Sequence, residues 1–439
     1  MWVEEVKLEN IKCFDSISIR LGTDENPYPW ITLLGENGGG KSTILQALGL
    51  LLAGPEGSQL LLKRPTGWLR NELKYGTIST KIHKGKKDPG EYGTDKKRKA
   101  FGYSFFITGE QKINVRAQQF TEPAIYPNND RTLSWLRENA LSSKGKGWFA
   151  IGFGAFRRLT RDSQIIIPSL QPPTRYTNFL TQFNENEPLA AFERWLVYLD
   201  YRIVKDQDKV AEKQRKIGIE AINEVLPDGV SFDSVTSYGK IIFDINGQKV
   251  PTITLSDGYR SVLALAGDLI WRLLEAFPDS DEPLKEEGVI LIDELDIHLH
   301  PTWQRTIASW LREQFPNLQF IVATHSPLIA AGAGANAVTY KFVLKNGVTH
   351  IEKVSNMSSW SVDKILQSDA FGLVSTYSPE TQSQIDDYHK LNRKTNRTKK
   401  EQKELQLLLP FVREALSLPP QSEDSLESKI DNYLIGKSL

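Results

Sequence analysis

The sequence has little of several features that would place it in a special class of protein. Its 439 residues include one cysteine, Cys13, which excludes an internal disulfide and a cysteine-based metal cluster. Its 54 basic and 54 acidic residues leave no net charge to draw the chain onto nucleic acid. No apolar run approaches the ~20 residues of a membrane helix, and the charged residues 1–10 are unlike a signal peptide. We therefore expect a cytoplasmic protein with no membrane partner.

One glycine-rich stretch stands out from this ordinary composition, because it fits the pattern G-x-x-x-x-G-K-[ST] of phosphate-binding loops. The loop consists of Gly35, Glu36, Asn37, Gly38, Gly39, Gly40, Lys41, Ser42 and Thr43. An apolar run before it, residues 30–34, has strand character, and residues 43–52 after it are rich in helix formers. The loop is therefore predicted to bind ATP phosphates through backbone N–H groups, with Lys41 at the β- and γ-phosphates and Ser42 on Mg²⁺.

Two apolar segments further along the chain end in residues suited to nucleotide hydrolysis. Residues 289–292 lead into Asp293 and Glu294. A carboxylate at the end of a buried strand can hold Mg²⁺, so Asp293 is predicted as a metal ligand. Glu294 is predicted to orient the attacking water as a general base. Residues 320–323 lead into His325, which is placed to contact the γ-phosphate or that water.

A helix start between these motifs offers a second phosphate-binding surface. Ser256 and Gly258 lie at the predicted N-terminus of this helix, where a hydroxyl and exposed N–H groups are donors. An ordinary capped helix would show the same residues. The sequence alone leaves both interpretations open.

Strands alternate with helices and carry the chemistry at their ends, which predicts an α/β fold. We expect residues 1–60 to form the N-terminal lobe of an ATPase core, and residues 61–236 to form a large mixed α/β insertion. Residues 237–355 would complete the core, and residues 356–439 would form a helical region for a partner or a dimer.

Local patterns give more detailed predictions. Residues 187–226 are predicted to be helical, residues 338–354 a β-hairpin, and residues 379–416 helices that pair as a hairpin. The lysine- and glycine-rich residues 81–100 are predicted to form an exposed loop. This loop and residues 393–403 are basic enough to contact a nucleic acid backbone, although such runs are usually solvated.

The order of the four motifs resembles that of the ABC-type ATPase superfamily, in the branch that contains SMC, RecF and OLD-type ATPases. Residues 293–301 (DELDIHLHP) are similar to the DE-x-x-x-H-L-H-P stretch of OLD-like and RecF-like ATPases. Residues 255–260 (LSDGYR) stand in the place of L-S-G-G-Q. They resemble the variant in stand-alone bacterial ATPases related to anti-phage defence proteins such as the Septu component PtuA.

The resemblance implies a P-loop ATPase with an SMC-head-like fold that uses ATP and Mg²⁺. It further implies a head-to-tail homodimer or higher oligomer, in which Ser256 and Gly258 of one copy close over nucleotide held by Lys41 of another. The implied role is a switch subunit of a defence complex. Residues 355–439 lack the acidic strand ends of a TOPRIM domain and the histidine and asparagine cluster of an HNH nuclease, so we expect a separate nuclease subunit.

Some residues depart from the family pattern or leave alternatives open. Asp257 replaces the first glycine of L-S-G-G-Q, the signature motif of the superfamily. We expect the positive charge of Arg260 to compensate for the negative charge of Asp257. Gln118 and Gln119 are candidates for the Q-loop glutamine, and residues 153–158 form a family-like stretch.

His298 and His300 have the spacing of a zinc pair, but the resemblance explains both without a metal. Rival functions are a RecF- or SMC-like DNA-repair ATPase, a nucleotide-gated scaffold and the ATPase subunit of an ABC transporter.

Overall fold

A computed structural model of the chain describes residues 1–92, 99–110, 112–115, 118–120, 122–142, 147–155, 174–184, 191–227, 229–236 and 238–416. The chain divides into two compact units, Met1–Ile365 and Leu366–Leu439. Among the described residues, no helix combines the length and the apolar character that crossing a membrane requires.

The described part of the chain contains the following strands and helices. The strands are β1 (Trp2–Ile11), β2 (Phe14–Arg20), β3 (Trp30–Gly35), β4 (Gly76–His83), β5 (Ala100–Thr108), β6 (Ile113–Val115), β7 (Gln118–Phe120), β8 (Ala124–Pro127), β9 (Phe149–Phe153), β10 (Val230–Val235), β11 (Ile241–Ile245), β12 (Gln248–Pro251), β13 (Gly288–Ile292), β14 (Leu318–Ala323), β15 (Ala337–Lys345) and β16 (Val348–Val354). The helices are α1 (Lys41–Leu61), α2 (Arg131–Asn139), α3 (Leu180–Phe183), α4 (Ala191–Asp206), α5 (Lys209–Val225), α6 (Asp257–Ala276), α7 (Pro301–Gln314), α8 (Pro327–Gly332), α9 (Val362–Gln367), α10 (Pro379–Arg393) and α11 (Lys399–Leu416).

A six-stranded sheet positions the predicted chemistry. Its order is β16-β15-β3-β14-β13-β9, and all neighbours pair in parallel except β15 and the edge strand β16. Every residue of β13 and β14 is buried, as expected for parallel strands covered on both faces. Because parallel strands share one carboxyl edge, the segments after β3, β14, β13 and β9 lie along the same edge. The predicted α/β class is confirmed.

A second sheet is antiparallel, with the order β2-β1-β4-β5-β8. Its apolar side chains share one buried cluster with those of α1. The buried amide of Gln319 on β14 links the two sheets, because its Nε2 donates to the carbonyl oxygens of Val3 (2.9 Å) and Leu21 (2.7 Å). Residues 61–236 contribute strands to both sheets, namely β4, β5 and β8 to the antiparallel sheet and β9 to the six-stranded sheet. The division of the chain into four segments stays a prediction.

The structure confirms one local prediction and corrects another. The described part of residues 187–226 is helical, as predicted, and consists of α4 and α5. The two helices are separated at Gln207, which has a left-handed φ of 48°, and the Asp208 carboxylate caps α5 by accepting from Val210 N and Ala211 N. The exposed loop predicted for residues 81–100 is wrong at both ends, which lie in β4 and β5, and Gly85 and Asp88 within it are buried. Residues 81–83 belong to β4 and pair with β1, where His83 lies opposite Trp2.

Both predicted hairpins are present. Strands β15 and β16 pair in antiparallel register, with Lys345 opposite Val348. In the second unit, α10 and α11 pack against each other. Ser378 caps α10 by accepting a hydrogen bond from the backbone N of Thr381 (3.1 Å).

Candidate nucleotide site

The predicted phosphate-binding loop connects β3 to α1, as the sequence indicated. Gly38 and Gly40 have φ angles of 78° and 93°, a region in which residues with side chains are strained. A Cβ atom on Gly40 would also lie 2.5 Å from Cys13 Sγ and 2.5 Å from Phe14 Cζ. The loop therefore requires glycine at this position, and it ends at the N-terminus of a long helix, where anions bind.

Lys41 is buried at the base of this loop, with 5% of the residue exposed. Its Nζ donates to the carbonyl oxygens of Gly35 (2.8 Å) and Glu36 (3.0 Å). Burial lowers the pKa of Lys41 from its ordinary value, while the charges of Asp293, Glu294 and Asp296 act in the opposite direction. The ammonium group is thus close enough to the carboxylates of Asp293 and Glu294, the Walker B residues that end β13, for their charge to act on it.

Asp293 and Glu294 follow β13 directly. The backbone N of Asp293 donates to Phe153 O at the end of β9 (2.9 Å), which fixes the turn against the neighbouring strand. Glu294 has a positive φ of 45°, although it is not a glycine. Such strain costs about 1–3 kcal/mol and concentrates at functional sites. The left-handed conformation therefore supports a chemical role for the Glu294 carboxylate.

His325 follows β14, the strand between β3 and β13. Its backbone N donates to Asp296 Oδ1 (3.2 Å). Its Nε2 is buried and has no hydrogen-bond partner among the described residues. A buried polar nitrogen without a partner is costly, and here it lies between the loop strand and the Walker B strand. It can therefore contact a phosphate or a water molecule there.

Ser256 and Gly258 lie at the start of α6, as predicted. The Ser256 hydroxyl caps the helix by accepting from Tyr259 N at 3.5 Å, and the residue is exposed. The Asp257 carboxylate is paired with the buried Arg260 guanidinium (3.3 Å). A Cβ on Gly258 would lie 3.1 Å from the carbonyl oxygen of His298. At this helix start Ser256 and Asp257 are exposed to solvent, while Gly258 contacts the segment that follows Glu294.

These residues fit a magnesium nucleotide. Mg²⁺ in nucleotide sites usually takes one or two protein oxygens, with phosphate oxygens and water as its other ligands. The Ser42 hydroxyl at the start of α1 and the Asp293 carboxylate after β13 are two such oxygens. The described residues contain no group of three or more histidine, cysteine, aspartate or glutamate side chains that would hold a metal without a nucleotide. Two protein oxygens are fewer than Mg²⁺ needs, so this donor set suits an ion whose other ligands are phosphate oxygens and water.

Other sequence candidates lie elsewhere. Gln118 and Gln119 are exposed on β7, which pairs with β6 in a separate two-stranded sheet. Of the family-like residues 153–158, Phe153 ends β9 beside β13 and residues 154–155 follow it. Residues 156–158 lie outside the described part of the chain. The His300 Nδ1 caps α7 by accepting from Thr302 N (3.3 Å), which gives this histidine a structural role.

Sequence reasoning missed Asp296 and Gln304. The Asp296 carboxylate accepts a hydrogen bond from Thr324 Oγ1 (2.5 Å) in addition to the one from His325 N. Gln304 on α7 donates to the carbonyl oxygens of Asp296 (3.3 Å) and Leu299 (2.9 Å). The available signal was the position of Asp296, two residues after Glu294, inside residues 293–301, which resemble the OLD-like and RecF-like ATPases.

Comparison with known proteins shows which family the chain belongs to. A family model described as "AAA domain, putative AbiEii toxin, Type IV TA system" matches residues 31–331. The chain is 28% identical over 405 residues to "Septu protein PtuA" of Bacillus mycoides (strain KBAB4), which covers 91% of this chain and 49% of that protein. It is 26% identical over 403 residues to "Septu protein PtuA" of Bacillus thuringiensis, covering 88% of each. The chain therefore spans about half the length of the first relative and most of the second.

Two further similarities are more limited. A 105-residue stretch is 41% identical to "Retron Vc95 probable ATPase" of Vibrio cholerae, covering 23% of this chain and 20% of that protein. Among solved structures, an SMC head bound to the C-winged helix domain of ScpA superposes with a TM-score of 0.51 at 15% identity, covering 82% of this chain and 99% of that one. This likeness confirms the predicted SMC-head-like fold, and the relatives confirm the resemblance to PtuA-like ATPases.

Proposed function

This chain belongs to the AAA-domain family that matches residues 31–331, and from that premise we propose that it is an ATP-hydrolysing switch subunit of an anti-phage defence complex. The observation that carries the proposal is the position of Lys41, between the loop carbonyls and the carboxylates that follow β13. The two Septu PtuA relatives support the defence context. The defence role rests on similarity alone, whereas the ATPase chemistry is also supported by the arrangement of Lys41 and the carboxylates after β13.

Each residue of the site has a distinct task in this proposal. Lys41 leaves its loop carbonyls to bind the β- and γ-phosphates, and Ser42 and Asp293 hold the metal ion. When bound, Mg²⁺ would neutralise negative charge on the phosphates. Glu294 accepts the proton of the attacking water. The Nε2 of His325 contacts the γ-phosphate or that water.

A second copy of the chain would complete the site. The exposed start of α6 presents Ser256 and Gly258, whose hydroxyl and N–H groups suit a phosphate at a helix N-terminus. Pairing of Asp257 with Arg260 offsets a negative charge that would otherwise disfavour phosphate there. In a head-to-tail dimer, each α6 start would therefore close over the nucleotide held by Lys41 of the other copy.

The second unit offers a surface for a further partner. Exposed basic residues gather at the turn between α10 and α11, namely Lys390, Arg393, Lys394, Lys399, Lys400 and Lys403. The nearby Glu401 carboxylate is already paired with Lys394 (2.6 Å), so it contributes less to balancing this charge. A nucleic acid backbone suits such a surface, which keeps a RecF- or SMC-like role in DNA repair as the second candidate function.

The ATPase part of the proposal is tested by replacing Glu294→Gln and measuring ATP turnover and ATP affinity separately. Turnover should fall on the order of 100-fold or more, because the general base is lost, while ATP affinity should stay within a few-fold of wild type. Glu313→Gln, an exposed carboxylate on α7, is the matched control and should behave as wild type. Normal turnover by the Glu294→Gln protein would contradict the assigned role.

The defence part requires a partner nuclease in the same cytoplasm. We expect the chain, purified from its native host, to carry a separate polypeptide with nuclease activity that changes when Glu294→Gln replaces the wild-type chain. Phage plating should rise in cells that carry this variant. Stimulation of ATP turnover by DNA, together with no associated nuclease and unchanged plating, would favour the repair function instead.

A further inference from the structure

A set of polar side chains joins the turn after β13 to the turn after β14. We name it the Asp296 cluster and define it as Asp296, Gln304, Thr324 and Ser326. The Asp296 carboxylate accepts from Thr324 Oγ1 (2.5 Å) and from the backbone N of His325 (3.2 Å). The Ser326 backbone N donates to Thr324 Oγ1 (3.0 Å). These bonds hold the backbone amides of His325 and Ser326, and thereby the backbone that carries the His325 side chain.

Gln304 closes the cluster from α7. Its Oε1 accepts from Ser326 Oγ (2.7 Å), while its Nε2 donates to the carbonyl oxygens of Asp296 (3.3 Å) and Leu299 (2.9 Å). Thr324 is fully buried and Ser326 is 5% exposed. Hydrogen bonds shielded from water in this way hold their geometry better than exposed ones. One amide thus holds the segment after Glu294 and the turn that carries His325 in a fixed relation.

We propose that Asp296, Thr324 and Gln304 are positioning residues for His325, and that they hold its Nε2 where it meets the γ-phosphate. The inference rests on the proposed ATPase function and adds residues for which that function alone does not account. None of the three is assigned to contact the nucleotide. They act through the backbone on both sides of His325.

The need for such positioning follows from the local structure. His325 lies in a short turn between β14 and α8, and its Nε2 makes no hydrogen bond to any described residue. The imidazole is therefore held in place by its backbone and its packing. A displacement of about 1 Å at a reacting group can cost on the order of 100-fold in rate. Fixing the backbone at Thr324, His325 and Ser326 limits that displacement.

The Asp296 cluster also reaches the start of α6. Gln304 holds Leu299 O, and the preceding carbonyl, His298 O, lies against Gly258. The Tyr259 ring meets the Trp303 ring edge to face at 5.0 Å. The segment that positions His325 is thus the one on which the signature helix start packs. A change in the cluster should therefore affect both halves of the proposed composite site.

Thr324→Val provides the sharpest test, because valine keeps the branched shape but removes the hydroxyl that bonds Asp296. We expect kcat for ATP to fall about 10–100-fold, as for other residues that orient catalytic groups, with KM and nucleotide affinity within a few-fold of wild type. Thr324→Ser, which keeps the hydroxyl, should restore most of the rate. Gln304→Leu provides an independent variant on a half-buried side chain.

Hydrogen exchange gives a readout that does not depend on turnover. In Thr324→Val, the amides of His325 and Ser326 should exchange faster, while the strand amides of β14 stay close to wild type. The melting temperature should fall by only a few degrees, because the lost bond to the Asp296 carboxylate costs about 1.5–3 kcal/mol. If Thr324→Val and Gln304→Leu both match wild type in kcat, the positioning role is wrong and the ATPase proposal stands. Equal losses of stability, affinity and kcat without rescue by serine would reduce the cluster to a structural role, which also overturns the inference. Failure of the wild-type chain to hydrolyse ATP would remove both proposals.

Discussion

The two regions that would meet at the nucleotide are built in opposite ways. The phosphate-loop side is enclosed, since Lys41 is 5% exposed and is held by two loop carbonyls. The start of α6 is open, with Ser256 exposed and its capping bond at a long 3.5 Å. One region is complete within a single chain. The other region presents the Ser256 hydroxyl, whose hydrogen bond within this chain is a single long contact to Tyr259 N.

This difference separates the tasks of binding and sensing. An enclosed loop with Lys41 can hold nucleotide in a single copy, so nucleotide binding should not require a dimer. An exposed helix start adds donors only when a second copy arrives. The comparison therefore predicts that loss of Lys41 from the phosphate loop weakens nucleotide binding, whereas a bulky change at the α6 start lowers turnover and leaves binding intact.

The largest effect is expected for Lys41→Ala. Removal of the buried ammonium should reduce ATP turnover on the order of 1000-fold, because this charge stabilises the transferring phosphoryl group. Nucleotide affinity, measured by calorimetry, should fall with it. Lys240→Ala, an exposed lysine beside β11, is the control. An active Lys41→Ala protein would mean that the loop is not the nucleotide site.

A smaller effect on turnover, with a different signature, is expected for Ser256→Arg. The bulky side chain should obstruct the approach of a second copy and reduce turnover roughly 100-fold, while single-copy nucleotide affinity stays near wild type. The comparison fails if affinity falls as it does for Lys41→Ala. Such a result would place Ser256 in the same chain's binding loop.

Asp257→Gly should have little effect, although it restores the usual signature glycine. The Asp257 carboxylate is 61% exposed, and its charge is already compensated by the buried Arg260 guanidinium, so solvent and this partner screen its effect on a nearby phosphate. Turnover should therefore change by about 5-fold or less. A much larger gain would show that the acid opposes phosphate binding and that the α6 half is poorly adapted to hydrolysis.

The remaining effect is on stability and not on turnover, and it concerns the antiparallel sheet that packs with α1. Burial lowers the pKa of His83, against the effect of the bound Glu4 carboxylate. Burial alone would raise the pKa of Glu4, but hydrogen bonds from Lys81 and His83 outweigh it and lower that pKa. Both shifts mean that the unfolded chain binds more protons than the folded one as pH falls from about 6.5 through about 4.5.

The free energy of unfolding should therefore decrease over that range. Urea unfolding at a series of pH values tests this, with Glu4→Gln as the variant. Loss of a buried bond to a charged group should cost about 1.5–3 kcal/mol near neutral pH. It should flatten the dependence below about pH 4.5, where Glu4 itself titrates, while the His83 part at higher pH persists. An equally steep dependence in the variant would assign the acid sensitivity to other groups.

The sequence predicted what is local in the chain. Lys41, Asp293 and Glu294 were identified because each lies in a contiguous motif whose spacing carries the chemistry. The break at Gln207 was missed, since an apolar period does not reveal a left-handed residue between two helices. The Asp296 cluster was missed for a different reason. Its members lie at positions 296, 304, 324 and 326, and only the parallel pairing of β13 with β14 brings them together.

The most direct test of the composite site measures the mass of the purified chain in solution with ATP and Mg²⁺. The Glu294→Gln protein should double in mass when ATP is added, because the closed state is no longer released by hydrolysis. Adding Ser256→Arg to this variant should leave it monomeric with unchanged nucleotide affinity. Adding Ser309→Arg, an exposed change on α7, should still allow the dimer. A Glu294→Gln protein that stays monomeric with bound ATP, or dimers that form regardless of Ser256→Arg, would contradict a site shared between two copies.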